Sequence, residues 1–414
     1  MGQGVSRSSV NFYVIMQTRT APNDGIIRQG RWSSSPLFDR CLKANLVALR
    51  ASVLKSAEQR EMIWFLQALS LAPGGLRWAA QEIAPHCVHE LDRERWAIGL
   101  CLDPETDLEL QVAMPKLEKL HREYVKAKAA GTVVTELGQK LGDALDYCQQ
   151  SHCLVLISGL ARTGKTFAAS RWVEQHPGRA RYVQTPSAGD DLAWHTAIAR
   201  AIGITVESDP KTKKLRPRIE TALQGGDIML VLDCAEYIFP SHNYRLARPS
   251  RVSWIMTELT NKGVAVAMLA TPQFLETQAD YAKKTGWAIE QWLGRIERFV
   301  PLPETLSMQD LERVAASYLP DGNRRSIEAL ADYANLSKKY LAAIEHSVKQ
   351  ARYMARQDGR EQATWPDIQR ALKESVMPGD SALVAAVEAA TARRRCRAMS
   401  PRRDRDRFAG VAGN

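Results

Sequence analysis

The sequence predicts an α/β fold: a parallel sheet covered on both faces by helices, with a small helical domain before it and a helical lid after it. Three observations carry this reading. Between residues 131 and 303, short Val/Ile/Leu-rich runs alternate with stretches of helical periodicity, the pattern of strands buried on both faces. The first run passes into a glycine-rich turn that opens a helix. After Pro303 the strand-like runs stop and only helical periodicity remains.

Taken in chain order, residues 1–43 are rich in Ser, Arg, Gly and Asn with no sustained period, and read as disordered. Residues 44–130 read as a small helical domain. Leu46, Leu49, Val53, Leu54, Met62, Phe65, Leu66 and Leu69 recur at helical intervals, and Pro73-Gly74-Gly75 breaks the chain. A second helical stretch holds Trp78, Ile83 and Val88, and others run from Leu108 to Ala129 and from Thr132 to Gln150. A helix-turn-helix between Met62 and Leu102 and a plain packing module both fit this part. The expected strands of the core, 131–303, are Leu154–Ser158, Arg181–Gln184, Ile228–Leu232, Val264–Leu269 and Phe299–Leu302. The lid, 304–376, is expected to hold helices over Thr305–Leu319, Arg324–Ala334, Ser337–Arg356 and Trp365–Glu374. Thr364 before Trp365-Pro366-Asp367 reads as an N-cap with proline in the first turn. Residues 377–414 form a basic, Arg-rich tail that reads as disordered.

Composition narrows the class. The chain has 414 residues, 45% hydrophobic and 25% charged, which suits a soluble globular protein of two or three domains. No apolar run reaches the roughly 18 residues of a membrane helix, and the first residues lack the apolar stretch of a signal peptide. Met1-Gly2 with Ser6 fits a myristoylation pattern only loosely. Seven cysteines without a C-x-x-C pair fit a reducing, cytoplasmic setting. His86, Cys87, His89 and Cys101 carry metal-ligand chemistry, but their spacing matches no standard zinc site, so core residues are the plainer reading. The net charge of +10 points to an anionic partner, most simply nucleic acid.

Gly159-Leu160-Ala161-Arg162-Thr163-Gly164-Lys165-Thr166 matches G-x-x-x-x-G-K-[ST]. The chemistry needs this order. Glycines let the backbone wrap so that its N–H groups converge on phosphate oxygens, and the following helix presents its positive end to them. Lys165 reaches the β- and γ-phosphates, and the Thr166 hydroxyl ligates Mg²⁺, so ATP with Mg²⁺ is the expected cofactor. Gly159, Arg162, Thr163 and Gly164 complete the cradle. Further on, Ile228–Leu232 ends in Asp233, the arrangement that holds the metal through water. The residue after that aspartate is Cys234, and the first glutamate is Glu236. Glu236 is either the base that orients the attacking water or a solvated glutamate beside a slow or inactive site. Thr271, at the tip of the fourth expected strand, either touches the γ-phosphate or caps a strand end.

These residues resemble the AAA+ ATPases over about Thr132 to Glu374. The resemblance implies a sheet of order 5-1-4-3-2 and an ATP site completed by a neighbouring subunit. Within the family the chain resembles the transposition target-selection ATPases of bacterial transposons and transposing phage. Tyr182-Val183-Gln184-Thr185-Pro186-Ser187, Met268-Leu269-Ala270-Thr271-Pro272-Gln273-Phe274-Leu275 and Arg295-Ile296-Glu297-Arg298-Phe299 carry that view. By resemblance Arg295, with Arg298 as runner-up, is the trans-acting arginine, and Lys338 or Lys339 falls where the lid presents its sensor residue. Cys234 departs from the family's Asp-Glu pair and puts fast hydrolysis in question.

Three basic clusters are candidates for phosphate contacts with double-stranded DNA: Lys211, Lys213, Lys214, Arg216 and Arg218; Arg245, Arg248 and Arg251 with Tyr244; and the arginine tail. A solvated surface is the alternative for each. The first functional expectation is an ATP-dependent DNA-binding regulator. It forms a homo-oligomeric ring or helical filament and recruits a transposase or other recombination protein, without a membrane. The second is an initiator-like, helicase-loader-like or signalling switch acting through a protein partner. The third is a scaffold that binds nucleotide without hydrolysing it.

Overall fold

The fold is known from a computed structural model, which describes residues 56–70, 79, 107–187, 190–204, 206, 211–239, 249–320 and 322–374. Residues 1–43, the His86/Cys101 cluster and the tail from 377 lie outside the described residues, as do Tyr244, Arg245 and Arg248.

Among the described residues, two helices precede the core: α1 (Ala57–Ser70) and α2 (Asp107–Ala129). The core then runs α3 (Glu136–Ser151), β1 (Leu154–Ser158), α4 (Lys165–Gln175), β2 (Ala180–Gln184), α5 (Asp191–Ala201), α6 (Thr212–Gly226) and β3 (Met229–Asp233). A 3₁₀ turn, Ala235–Ile238, follows β3. Next come α7 (Ser250–Trp254), prolonged by a π-helical turn at Ile255–Leu259, then β4 (Val266–Ala270), α8 (Gln273–Thr285), α9 (Glu290–Leu293) and β5 (Ile296–Pro301). Four helices close the described chain: α10 (Met308–Tyr318), α11 (Arg324–Leu336), α12 (Tyr340–Gln357) and α13 (Trp365–Glu374).

The strands form one five-stranded sheet in the order β2-β3-β4-β1-β5, with parallel pairings. This is the order that the resemblance implied. β1, β3 and β4 are buried along their whole length, which is why they read as unbroken apolar runs instead of alternating ones. Alternate residues still serve different cores. Val155, Ile157, Val231 and Leu269 join the cluster beneath the C-terminal helices. Leu154, Leu156, Leu230, Leu232 and Met268 join the cluster under α5 to α8. A third cluster, with Phe65, Leu66 and Leu117, holds α1 against α2.

Register sets the site. Ser158 of β1 lies level with Ala270 of β4, and Leu232 of β3 level with Met268. The C-terminal tips carrying Gly159, Thr271 and Asp233 therefore emerge at one end of the sheet, and Gly159 N–H donates to the Ala270 carbonyl at 3.1 Å.

Helix ends follow local chemistry. Thr135, Asp190, Ser307 and Asn323 cap α3, α5, α10 and α11 through side-chain oxygens. Ahead of α13, Asp367 accepts from both the Thr364 amide and hydroxyl at 2.7 Å. Arg360 adds a two-pronged contact at 2.6 and 2.8 Å, which holds the Asp367 carboxyl well below the usual range.

Two details depart from the sequence reading and a third adds to it. The chain does not break at Asn335: α11 runs on to Leu336, and the break comes at Ser337–Lys339, where Lys338 has a φ of 51°. β5 starts at Ile296, so Arg298 lies inside the strand and not before it. The Lys211–Arg218 cluster opens a helix, α6, with Lys211 at its N-cap.

Candidate nucleotide site

The loop between β1 and α4 bends through two left-handed residues, Arg162 at φ 68° and Gly164 at φ 100°. At Gly164 the left-handed backbone favours glycine, and an added Cβ would stand 2.6 Å from Leu341 Cδ1 of α12, so that side-chain tip would have to shift. Thr163 closes the turn by donating from Oγ1 to the Leu160 carbonyl at 2.9 Å. Lys165 and Thr166 then occupy the first turn of α4, where backbone N–H groups lack helical partners.

Lys165 is 8% exposed. Its Nζ donates to the carbonyls of Gly159 and Leu160, both at 2.6 Å. Burial lowers its pKa, and the nearby charges of Asp233 and Glu236 work the other way. Thr166 Oγ1 and Tyr182 Oη each donate to Asp233 Oδ2 at 2.6 Å, and the Cys234 amide donates to Oδ1 at 2.8 Å. Burial, then the bond to Asp233, drive the Tyr182 pKa upward, so it remains a donor. Burial first, then the charges of Asp233 and Glu236, push the Cys234 thiol up to about 11, which keeps it neutral near pH 7. Cys234 itself sits left-handed at φ 55° and turns the chain into Ala235–Ile238.

Of the buried side-chain polar atoms without a hydrogen-bond partner among the described residues, two belong to this region, Glu236 Oε2 and Thr271 Oγ1. Both residues line the cavity whose floor includes Lys165, Thr166 and Asp233. That cavity has a volume of about 1390 Å³, ample for a nucleotide. Residues 130–135 form one wall, while Val314, Tyr318, Leu341 and Glu345 come from the C-terminal helices. The donors suit a hard cation bound to a triphosphate: a hydroxyl and a carboxylate already in contact, an ammonium beside them, and free N–H groups at a helix start.

The sequence-selected residues divide clearly. Gly164, Arg162, Lys165, Thr166, Asp233, Glu236 and Thr271 all line one cavity. Lys338 and Lys339 do not; the cation that α12 brings to the cavity is Arg352, whose Nη2 donates to the Tyr318 carbonyl at 2.6 Å. Arg295 is exposed, just before β5. The loop of its own chain lies at the other end of the parallel strands, about 17 Å away by strand rise, so Arg295 does not reach that loop. Arg298 is exposed, with its guanidinium 5.0 Å from the Tyr147 ring centroid.

Lys211, Lys213 and Lys214 are exposed at the start of α6. Arg216 pairs with Glu220 at 2.7 Å and faces Glu258 at 3.8 Å. Arg251 is a correction to the basic-cluster reading. It is 4% exposed and bound to Asp191 and to the Tyr237 carbonyl, so it is no part of a phosphate-contacting surface. The sequence reading also missed Tyr182; its place next to the Gln184 tip of β2, beside the Asp233 strand, is the signal that could have found it.

Among the described residues, no group of three or more His, Cys, Asp or Glu stands ready for a metal, and no helix is long and apolar enough to cross a membrane. No protein-family model matches the chain, and no curated protein matches it. Among solved structures, the chain is similar to the ORC2 protein of Aeropyrum pernix at 17% identity, over 64% of this chain and 68% of that one, with a TM-score of 0.43. It is similar to domain III of the replication initiation protein DnaA from Thermotoga maritima at 12% identity, over 60% and 96%, with a TM-score of 0.42. It is also similar to Cdc6p from Pyrobaculum aerophilum at 15% identity, over 61% and 71%, with a TM-score of 0.43. These likenesses are distant, and the fold is defined by its own strand order, with a nucleotide-type loop at the C-terminal end of β1.

Proposed function

We propose that the chain is a Mg²⁺-ATP-dependent switch ATPase of the AAA+ type that acts as an assembly of copies on DNA. The observation that carries this reading is the contact between Thr166 and Asp233 at 2.6 Å beside the buried Lys165. Two unpartnered oxygens, on Glu236 and Thr271, belong to the same cavity. Bound Mg²⁺ would neutralise charge developing on the β- and γ-phosphate oxygens. The chain's own residues do the rest. Lys165 exchanges its two carbonyl partners for phosphate oxygens, while Thr166 and Asp233 hold the cation. Glu236 orients a water and accepts its proton through the free Oε2, and Thr271 donates toward the γ-phosphate. Arg295 serves a second copy, because it is exposed and too far from its own loop. Lys211, Lys213 and Lys214 meet the DNA backbone without reading sequence.

Transposase recruitment rests on the sequence motifs alone. A second reading, a switch of the replication-initiator or helicase-loader kind acting mainly through a protein partner, gains weight from the burial of Arg251, which removes one cation from the DNA argument. Titration calorimetry tests the core of both readings. The purified chain should take up ATP only with Mg²⁺, and Lys165→Ala should weaken that uptake by about 100-fold. No magnesium-dependent uptake by the unmodified chain would rule both out, and DNA affinity at moderate salt separates one from the other.

A further inference from the structure

The turn that carries Glu236 has little support of its own. It is a single 3₁₀ turn, Ala235–Ile238, entered through left-handed Cys234 and closed by the Tyr237 amide donating to the Cys234 carbonyl at 3.1 Å. Ala235 and Ile238 are buried and anchor it inward, and Glu236 and Tyr237 take the outer side. With Oε2 unpartnered, the direction of Glu236 depends on where this backbone is held.

A buried cation holds it from outside. Arg251 Nη1 donates to the Tyr237 carbonyl at 2.9 Å, and Arg251 Nε donates to Asp191 Oδ1 at 3.1 Å. The Ser250 hydroxyl donates to the other Asp191 oxygen at 3.0 Å, and the guanidinium lies 5.6 Å from the Trp194 ring centroid. An arginine stays charged, and a charge taken out of water is tolerated only where its acceptors are fixed. Three segments are therefore pinned to one planar group: the turn after β3, the start of α5 and the start of α7.

We propose that Arg251 is a positioning residue for ATP hydrolysis, fixing the Ala235–Ile238 turn so that Glu236 faces the cavity. The inference rests on the hydrolytic reading above. A lysine in its place keeps the charge and loses the planar fork that serves Asp191 and Tyr237 together.

The experiment uses the full chain with Arg251→Lys, Asp191→Asn and Asp191→Glu. It measures steady-state turnover, affinity for Mg²⁺-ATP, thermal stability and amide hydrogen exchange over residues 234–239. Arg251→Lys should lower kcat by about 100-fold, the size of effect that a misplacement of about 1 Å produces. KM and nucleotide affinity should stay within about twofold, the mark of an interaction used in the transition state. Exchange over the turn should quicken. Asp191→Asn should act in the same direction to a smaller extent, and Asp191→Glu should restore turnover. Unchanged kcat in Arg251→Lys would overturn the proposal. So would loss of kcat, affinity and thermal stability together, which marks a merely structural residue. A fall in DNA affinity with kcat intact would overturn it in favour of a phosphate contact. Exchange is read without turnover, so a wild-type chain that hydrolyses nothing sinks the hydrolytic reading, while unchanged exchange in Arg251→Lys sinks the tie itself.

Discussion

Two buried cations sit at opposite ends of this molecule's logic. Lys165, 8% exposed, rests on two carbonyls of its own loop at the tips of the strands. Arg181, 5% exposed, joins β2 to the N-terminal helices, donating to the carbonyls of Pro177 and Ala180 and, across the seam, of Trp64 at 2.8 Å. Its guanidinium lies 5.2 Å from the Trp64 ring centroid, and burial pulls its pKa down to about 10. Arg179 with Glu61 at 2.7 Å and Arg60 with Asp227 at 2.5 Å brace the same seam. Around Lys165 there is a cavity, with carboxylates and unpartnered oxygens. Around Arg181 there is packed protein: a Cβ at Gly178 would meet the Glu61 carbonyl at 2.5 Å. Burial of a charge is thus common to a site and a weld. What separates them is whether its partners can be exchanged for a ligand.

The sharpest break between the two regions should appear in turnover. Glu236→Gln removes the proton acceptor and should reduce ATP hydrolysis by about a thousandfold with the melting temperature unmoved, measured by phosphate release. Undiminished hydrolysis would reassign the base. Next in size, Arg181→Ala should cost about 3 kcal/mol of stability, because three carbonyls lose a charged donor, and denaturant unfolding reads this directly. A loss below about 1 kcal/mol would mean that the seam carries no stability of its own. Lys165→Ala should show the inverse profile: nucleotide affinity down by about 100-fold with stability kept within about 1 kcal/mol. Equal stability losses at both positions would erase the distinction. The smallest effect is expected at Tyr182→Phe, which leaves Asp233 one donor short. The Mg²⁺ needed for half-maximal turnover should rise about tenfold, as for other groups that orient a metal-holding side chain.

Legibility in the sequence follows locality. The central strands β1, β3 and β4 were readable since each is a short apolar run, while β5 carries exposed Glu297 and Arg298 near its start, which was missed. The loop was readable since its chemistry is written in consecutive residues, Gly159 to Thr166. Asp233 was found through the strand it ends. Arg251 and Tyr182 were not, because their roles depend on what lies opposite in space. Asp191, the Tyr237 carbonyl and the Asp233 carboxylate reach them through sheet order and helix packing. The C-terminal helices were legible, but the lysines expected at the cavity were misplaced for a similar reason. A left-handed turn at Lys338 and Tyr340 redirects the helix and brings Leu341, not the lysines, to the cavity. The helix under the Lys211–Arg218 cluster was not assigned from the sequence, because Pro217 and a dense run of charge mask the helical period of Leu215, Ile219 and Leu223.

The contact between Gly164 and Leu341 has a mechanical consequence. A methyl-sized addition at 164 would lie inside the van der Waals envelope of the Leu341 side chain, so the loop and α12 meet through that one side chain. Such a junction carries compression but not tension. If phosphates widened the loop, this contact would press on α12, and if the loop narrowed again nothing in the contact would draw the helix back. Any return of α12 would then rest on the apolar core that it shares with α10 and α11.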